Sequence, residues 1–545
     1  LSFGVVLATG AFLRAYGVDF GLPLLSNFYI RPDESLIVQV AALLFERKGD
    51  PQFFAYPALM AEVCALIYAV MKQFVGEFAE NPSAYFLAAR WVSVIAGTLT
   101  IGVVWQTARL LCGWGWAVGA AALYAVCPLA VRDAHFGVTD SLVTLMVSLG
   151  LLTAVQYARQ SDGTVAPLGA VAWMGLAVSS KYTAVLATPA MLAAVLERHG
   201  WNLQRALRLL ALAAVLAAMI FAVLNPYVVL RFRETLDVAL GMFGVFYQGK
   251  SQEAATVWSV THALEQLLRP MVYGPGSWAG LLLAFGSLGW AVGKRRKKGV
   301  LTAACGTLPL LLALLPLLHP LPFRYVLPSL PGVAVLATFS VSQFFSGRRV
   351  KWHVCVAGCV LLLWQLAASV SLVRVLAQKD TRSQAGEWIA RELPSDIPVV
   401  LLVSPEAEPQ LTESATSIQR RIEYVYRMYG PQAGNVVSEL YRLQLSGDPK
   451  GREVYRSPKP EEVAGKRVAV VTASYPLPMI GVLGDEAVRP FGIIRSEIAF
   501  DPFAGDVQSM RLDRIDAFLL PMNPAGLVRR PGPKIRVSLV TRPQL

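Results

Sequence analysis

Long apolar stretches follow one another along the first two-thirds of the chain, separated by short polar ones. Runs at 1–19, 84–111, 115–131, 140–158, 164–179, 182–196, 206–224, 277–292, 300–318, 325–345 and 352–373 each approach the length of a bilayer crossing. A spanning helix needs about 20 mostly apolar residues, because lipid offers no hydrogen-bond partner to exposed backbone. The pattern predicts a mainly α, polytopic bundle of about 11 transmembrane helices over residues 1–373. Beyond residue 373 the period shortens. Apolar runs shrink to strand length at Val399–Val403, Val468–Val471 and Ile535–Val540. Amphipathic helical stretches lie between them, one through Trp388, Ile389 and Leu393 and another through Ile418, Ile422 and Tyr426. Residues 374–545 therefore read as a small soluble α/β domain, with Pro and Gly at its connections.

Composition supports a membrane protein: of 545 residues, 55% are hydrophobic and only 16% charged. The net charge of +13 would suit a nucleic-acid partner if it were spread over a soluble surface. Instead, much of it falls in short stretches between apolar runs: Arg198, Arg205 and Arg208; Lys294 to Lys298; Arg348, Arg349 and Lys351. That placement is the positive-inside pattern, so no nucleic-acid partner is expected. The six cysteines lie mostly within apolar runs and form no CxxC pair, which suits small buried hydrophobes.

With the basic clusters set in the cytoplasm, counting spans puts 132–139, 179–181, 225–276, 319–324 and the C-terminal domain outside. The expected location is the plasma (inner) membrane, multi-pass, with an extracytoplasmic C-terminal domain. Residues 57–76 are apolar enough to span, and if they did, Asp33 and Asp140 would face opposite compartments. The segment contains Glu62 and Lys72 and is broken at Pro57. A charge at mid-span costs about 2.5–3.5 kcal/mol on insertion scales, which a helix lying in the headgroup region avoids. The expectation is a flat helix, with 20–83 forming one external loop of juxtamembrane helices.

The outside-facing segments then collect Asp33, Glu34, Arg90, Asp133, His135, Asp140, Lys181, Arg324 and Tyr325. Ionisable groups at membrane depth are functional candidates. Each also has a plainer explanation. Pro32 followed by two acids suits a helix start, Asp140 suits a cap, and Lys181 can snorkel. Asp133 and His135, just past an apolar run, suit solvated positions equally well. An unpaired Arg90 in the first turns of an apolar helix would be costly and needs an anionic partner. GxxxxGK[ST], HExxH, GxSxG and GxGxxG are all absent, which disfavours an ATP-driven pump or a serine hydrolase.

The order of these motifs resembles a known family. Arg31-Pro32-Asp33-Glu34, followed by Asp50-Pro51-Gln52-Phe53-Phe54-Ala55-Tyr56-Pro57-Ala58-Leu59, is similar to the first external loop of GT-C glycosyltransferases. The nearest branch is the family 39-like group of protein O-mannosyltransferases and aminoarabinose transferases. Ala89-Arg90 through Gly97-Thr98-Leu99-Thr100 looks like the following helix, and Asp133 through Asp140 like the second acidic motif. Ser179-Ser180-Lys181-Tyr182-Thr183 and Arg324-Tyr325-Val326-Leu327-Pro328 also match in kind, and Arg530 through Ile535 looks like the tail of bacterial members.

The resemblance implies transfer of a sugar, with inversion, from a polyprenyl-phosphate donor to an acceptor hydroxyl on a glycan, lipid or protein at the external face. It implies Asp33 as base with Glu34 in support, and Asp140 as second acid. It places Lys181, Arg324 and Arg90 at the donor phosphate, with Asp133, His135, Tyr56 and Tyr325 around the pocket. No cofactor is certain; if a divalent cation such as Mg or Mn takes part, Asp33 and Asp140 are its candidate ligands. The tail differs from the domains of eukaryotic mannosyltransferases, which favours a bacterial or archaeal acceptor. The competing reading is a polytopic transporter or lipid flippase. That class places charges at mid-membrane and often shows repeats, whereas here the acids gather at one face and no repeat is evident.

Overall fold

The computed structural model describes residues 2–160, 167–200, 202–238, 268–292, 297–312, 322–346, 352–477, 480, 485–513 and 519–541. Lys294, Arg295, Arg296, His319, Arg348, Arg349 and Lys351, with 239–267 of the expected 225–276 external segment, lie outside these residues. The chain forms two compact units. One comprises 1–16, 46–63 and 90–370, the other 17–45, 64–89 and 371–545. Contacts thus group two pieces of the expected external loop with the C-terminal part of the chain.

The helices run in order α1 (Phe3–Ala15), α2 (Pro32–Leu43), α3 (Leu59–Val75), α4 (Pro82–Cys112), α5 (Trp114–Ala125), α6 (Pro128–Asp133), α7 (Thr139–Arg159) and α8 (Leu168–Ser180). After them come α9 (Pro189–His199), α10 (Leu203–Leu224), α11 (Pro226–Leu230), α12 (Ser277–Val292), α13 (Val300–Leu312), α14 (Leu330–Phe344) and α15 (Trp352–Leu376). Five stretches among the described residues are long and apolar enough to cross a bilayer: Pro82–Cys112, Thr139–Arg159, Gln204–Leu224, Phe323–Phe344 and Trp352–Glu392. Along α10, Leu207, Leu212, Val215, Met219 and Val223 are exposed, as are Val356, Val360 and Leu363 along α15. Apolar surface of this extent is not stable in water and has lipid as its solvent. The protein is a multi-pass membrane protein.

Three apolar runs are not single helices. The run 115–131 breaks at Cys127, where Pro128 opens α6. The run 182–196 begins as a 3₁₀ turn, Tyr182–Ala187, before Pro189 starts α9. The run 325–345 begins in the 3₁₀ turn Phe323–Ser329, ahead of α14. In each case proline, lacking an N–H and fixed in φ, suits the first turn of a helix and not its interior. Within the first unit α7 packs on α8 and α9, and α13 on α9 and α14. Gly332 makes the α13–α14 contact close: a Cβ there would sit 1.8 Å from Thr307 Oγ1.

The second unit contains α16 (Thr381–Glu392), α17 (Ala415–Leu445) and a five-stranded sheet. Its strands are β1 (Val399–Leu402), β2 (Val454–Arg456), β3 (Val468–Ser474), β4 (Ile493–Phe500) and β5 (Lys534–Thr541), in the order β2-β1-β3-β5-β4. β1 runs parallel to β2 and β3, whereas β5 is antiparallel to β3 and β4. The three strands expected from the sequence are the central ones; β1 and β3 are buried on both faces and read as nearly continuous apolar runs, whereas β5 carries Arg536 and Ser538 between its apolar residues. β2 has three residues and β4 is largely exposed, and both lie at the edges. Ala385 and Ile389 of α16 pack on the sheet core with Val399, Val471 and Val537.

Candidate active site

Asp140 lies in the first turn of α7, after the extended Val138. Its carboxylate does not cap the helix. Oδ1 accepts a hydrogen bond from Lys181 Nζ at 2.7 Å, and Arg324 Nε lies 4.0 Å from Oδ2. Lys181 terminates α8 by turning extended, at φ −157° and ψ 127°, and leads into the 3₁₀ turn at Tyr182. Its ammonium stands 4.4 Å from the centroid of the Tyr325 ring. Arg324 and Tyr325 come from the 3₁₀ turn that precedes α14. Four of the residues singled out from sequence therefore meet, and both cations sit where regular helix gives way to tighter backbone.

Asp140, Lys181 and Arg324 are all buried. The snorkelling alternative for Lys181 is thereby excluded. Desolvating charges costs several kcal/mol per ion, so a buried pair is weak evidence for stability. Two cations converge on this one carboxylate. The segment carrying Tyr56 is held in the same unit. Tyr182 Oη donates to Phe54 O at 3.2 Å, Ala58 N donates to Asn225 Oδ1 at 2.8 Å, and Arg231 pairs with Asp50 at 2.5 Å.

Asp133 and His135 are fully buried, which corrects the solvated alternative. Asp133 pairs with Arg132, whose Nη2 is 2.9 Å away. His135 Nδ1 lies 2.8 Å from Val131 O and Nε2 3.1 Å from Tyr16 O. Burial pushes its pKa down, against the pull of those carbonyls and with the help of Arg90 and Arg14. A neutral ring donates to one carbonyl at a time, which makes His135 a pin between α1 and α6. Arg90 is buried near it.

Sequence reading passed over Arg14 and Arg132, both fully buried within or beside apolar runs. Arg14 donates to Ala125 O at 2.9 Å and Tyr124 O at 3.3 Å, the negative end of α5. An arginine inside the first apolar run was the available signal.

Asp33 and Glu34 belong to the second unit, in the first turn of α2 after the extended Arg31. The helix-start reading is thus correct for the backbone. Glu34 is buried, within electrostatic reach of Cys64 and Tyr68. Among the described residues no group of three or more His, Cys, Asp or Glu side chains is placed to hold a metal ion. Asp140, already facing two cations, is a poor metal ligand.

Residues 78–227 match the family model of dolichyl-phosphate-mannose-protein mannosyltransferases. That stretch includes Arg90, Asp133, His135, Asp140 and Lys181. No curated protein sequence matches the chain. Among solved structures, ArnT from Cupriavidus metallidurans in the apo state is 16% identical with a TM-score of 0.50, over 98% of this chain and 97% of that one. The same protein bound to undecaprenyl phosphate is 15% identical with a TM-score of 0.51, at the same coverage. At these identities the likeness is one of fold. Residues 78–227 thus resemble that mannosyltransferase family, and the fold along the chain is similar to that of the ArnT structures.

Proposed function

We propose that the enzyme transfers a sugar from a polyprenyl-phosphate donor to an acceptor hydroxyl on a glycan, lipid or protein, at the external face of the plasma membrane and with inversion. The observation that carries this reading is the buried set of Lys181, Arg324, Tyr325 and Asp140, which gathers two cations about one carboxylate in an apolar bundle. When the glycosidic bond to the carrier breaks, negative charge develops on the phosphate. Cations fixed in a dry site stabilise that charge more than they stabilise the ground state. Lys181 and Arg324 take this role, with Arg90 behind them, and Asp140 orients both. Tyr56 and Tyr325 line the pocket, and Asp133 and His135 hold its wall. The ArnT structure with bound undecaprenyl phosphate supports a carrier of this class.

Asp33 is the base that removes the acceptor proton, a step worth roughly 10²–10⁴-fold, and Glu34 supports it. Residues 1–373 act as the catalytic membrane module, with 57–76 lying flat in the headgroup region, and 374–545 as an extracytoplasmic domain. A transfer assay with a panel of polyprenyl-phosphate sugars and candidate acceptors tests the reading. Turnover that disappears in Asp33→Asn with folding intact supports it, and turnover at the wild-type rate in that variant would overturn the base assignment.

A further inference from the structure

The stretch leading to Asp33 has little regular structure of its own, yet its backbone is buried. Ser26 and Asn27 are 1% and 0% exposed. Buried N–H and C=O groups need partners, and here the C-terminal part of the chain supplies them. Gln410 Oε1 accepts from the N–H groups of Leu25, Ser26 and Asn27 at 2.8, 3.4 and 3.3 Å, while its Nε2 donates to Asn27 O at 2.9 Å. Arg421 Nη1 donates to Ser26 O at 2.5 Å, and Asn27 Nδ2 donates to Glu408 O at 2.8 Å. The effect passes on toward Asp33: Asn27 Oδ1 accepts from Tyr29 N at 2.9 Å, and Ser35 Oγ of α2 donates to Phe28 O.

The two side chains are themselves fixed. Gln410 N donates to Arg382 O at 3.0 Å, and Gly386 admits the Gln410 backbone where a Cβ would sit 1.8 Å from its carbonyl oxygen. Arg421 is held by Glu408 at 2.7 Å and Glu413 at 2.9 Å, with Arg456 bridging the same two carboxylates. A buried network of this kind is rigid, and from it Arg421 Nη1 donates both to Glu413 and to the loop.

We propose that Gln410 and Arg421 are positioning residues, through which the C-terminal domain moulds residues 25–28 and thereby places the Asp33 carboxylate. This rests on Asp33 being the base. A displacement of about 1 Å at a reacting group can cost on the order of 100-fold, so the link reaches turnover without touching substrate.

The test uses full-length protein in lipid nanodiscs. In Gln410→Leu, hydrogen exchange speeds up over residues 25–36 while β1, β3 and β5 keep their protection. With undecaprenyl-phosphate mannose or undecaprenyl-phosphate aminoarabinose as donor, kcat falls about 10–100-fold with donor KM unchanged. Gln410→Glu, which keeps the acceptor oxygen, recovers part of the loss. Asn27→Ala removes the loop's side-chain bonds to Glu408 O and Tyr29 N while the bonds of Gln410 and Arg421 to its backbone remain, and it gives a smaller kcat-only defect in the same direction should Gln410→Leu fail to fold. Unchanged exchange at 25–36, or a folded Gln410→Leu with wild-type kcat beside an inactive Asp33→Asn, would overturn the positioning role alone. Wild-type turnover in Asp33→Asn would instead remove the base assignment, and the positioning role with it.

Discussion

Lys181 and Asp140 lie 41 positions apart and meet at 2.7 Å in a buried setting. Removing one partner leaves the other charge desolvated, which costs about 3–5 kcal/mol for a fully buried pair. Lys181→Met should therefore lower the thermal midpoint, moderated by Arg324, 4.0 Å from the same carboxylate. Lys181→Met with Asp140→Leu should recover only part of the midpoint, because Arg324 loses the same carboxylate, and should not recover the transfer activity. Equal midpoints in wild type and both variants would show the pair to be energetically idle. Arg324→Ala should weaken binding of a polyprenyl-phosphate sugar, and an unchanged Kd would move the phosphate elsewhere. The residue types were legible, because charges beside lipid are rare and each demands a reason. Their pairing was not. The sequence carries no mark that Asp140 bonds Lys181 instead of capping α7, or that His135 turns both nitrogens to carbonyls.

At the scale of elements, periodicity located nearly every apolar helix, since burial in lipid imposes the same demand on each. It misjudged where runs break into 3₁₀ turns, and Lys181 sits just before one such turn while Arg324 lies within another. α3 shows how composition and structure combine. Leu66, Val70 and Phe74 form an exposed apolar row at four-residue spacing, while Met60, Ala61, Cys64 and Tyr68 are buried. A helix of this kind suits the headgroup region. A cysteine at position 66 (Leu66→Cys) should therefore resist a membrane-impermeant thiol reagent applied from the cytoplasmic side. Cytoplasmic labelling would mean that 57–76 spans. β2 and β4 escaped notice because edge strands, short or half-solvated, lack the largely buried apolar pattern of β1, β3 and β5.

For the molecule as a whole, the C-terminal charge network gives a pH dependence. Burial alone would raise the pKa of Glu413, but Arg456 and Arg421 outweigh it and hold the carboxyl below its ordinary value. Because the folded value is the lower one, this stability is complete above the unfolded value of about 4.3 and fades as pH falls through the folded one. The midpoint of the full-length protein should stay level from about pH 7 to 5 and drop below about pH 4. In Glu413→Gln it should start lower and fall less steeply, and an equal slope would refute the assignment. Membrane insertion, the helical class and the small α/β domain follow from sequence alone, because hydrophobic period and run length answer to solvent and backbone geometry, which are local constraints. The Asp140–Lys181–Arg324 constellation and the hold of Gln410 and Arg421 on residues 25–27 were decided by tertiary structure. They join positions tens to hundreds of residues apart, and such pairings exist only once packing has closed the chain.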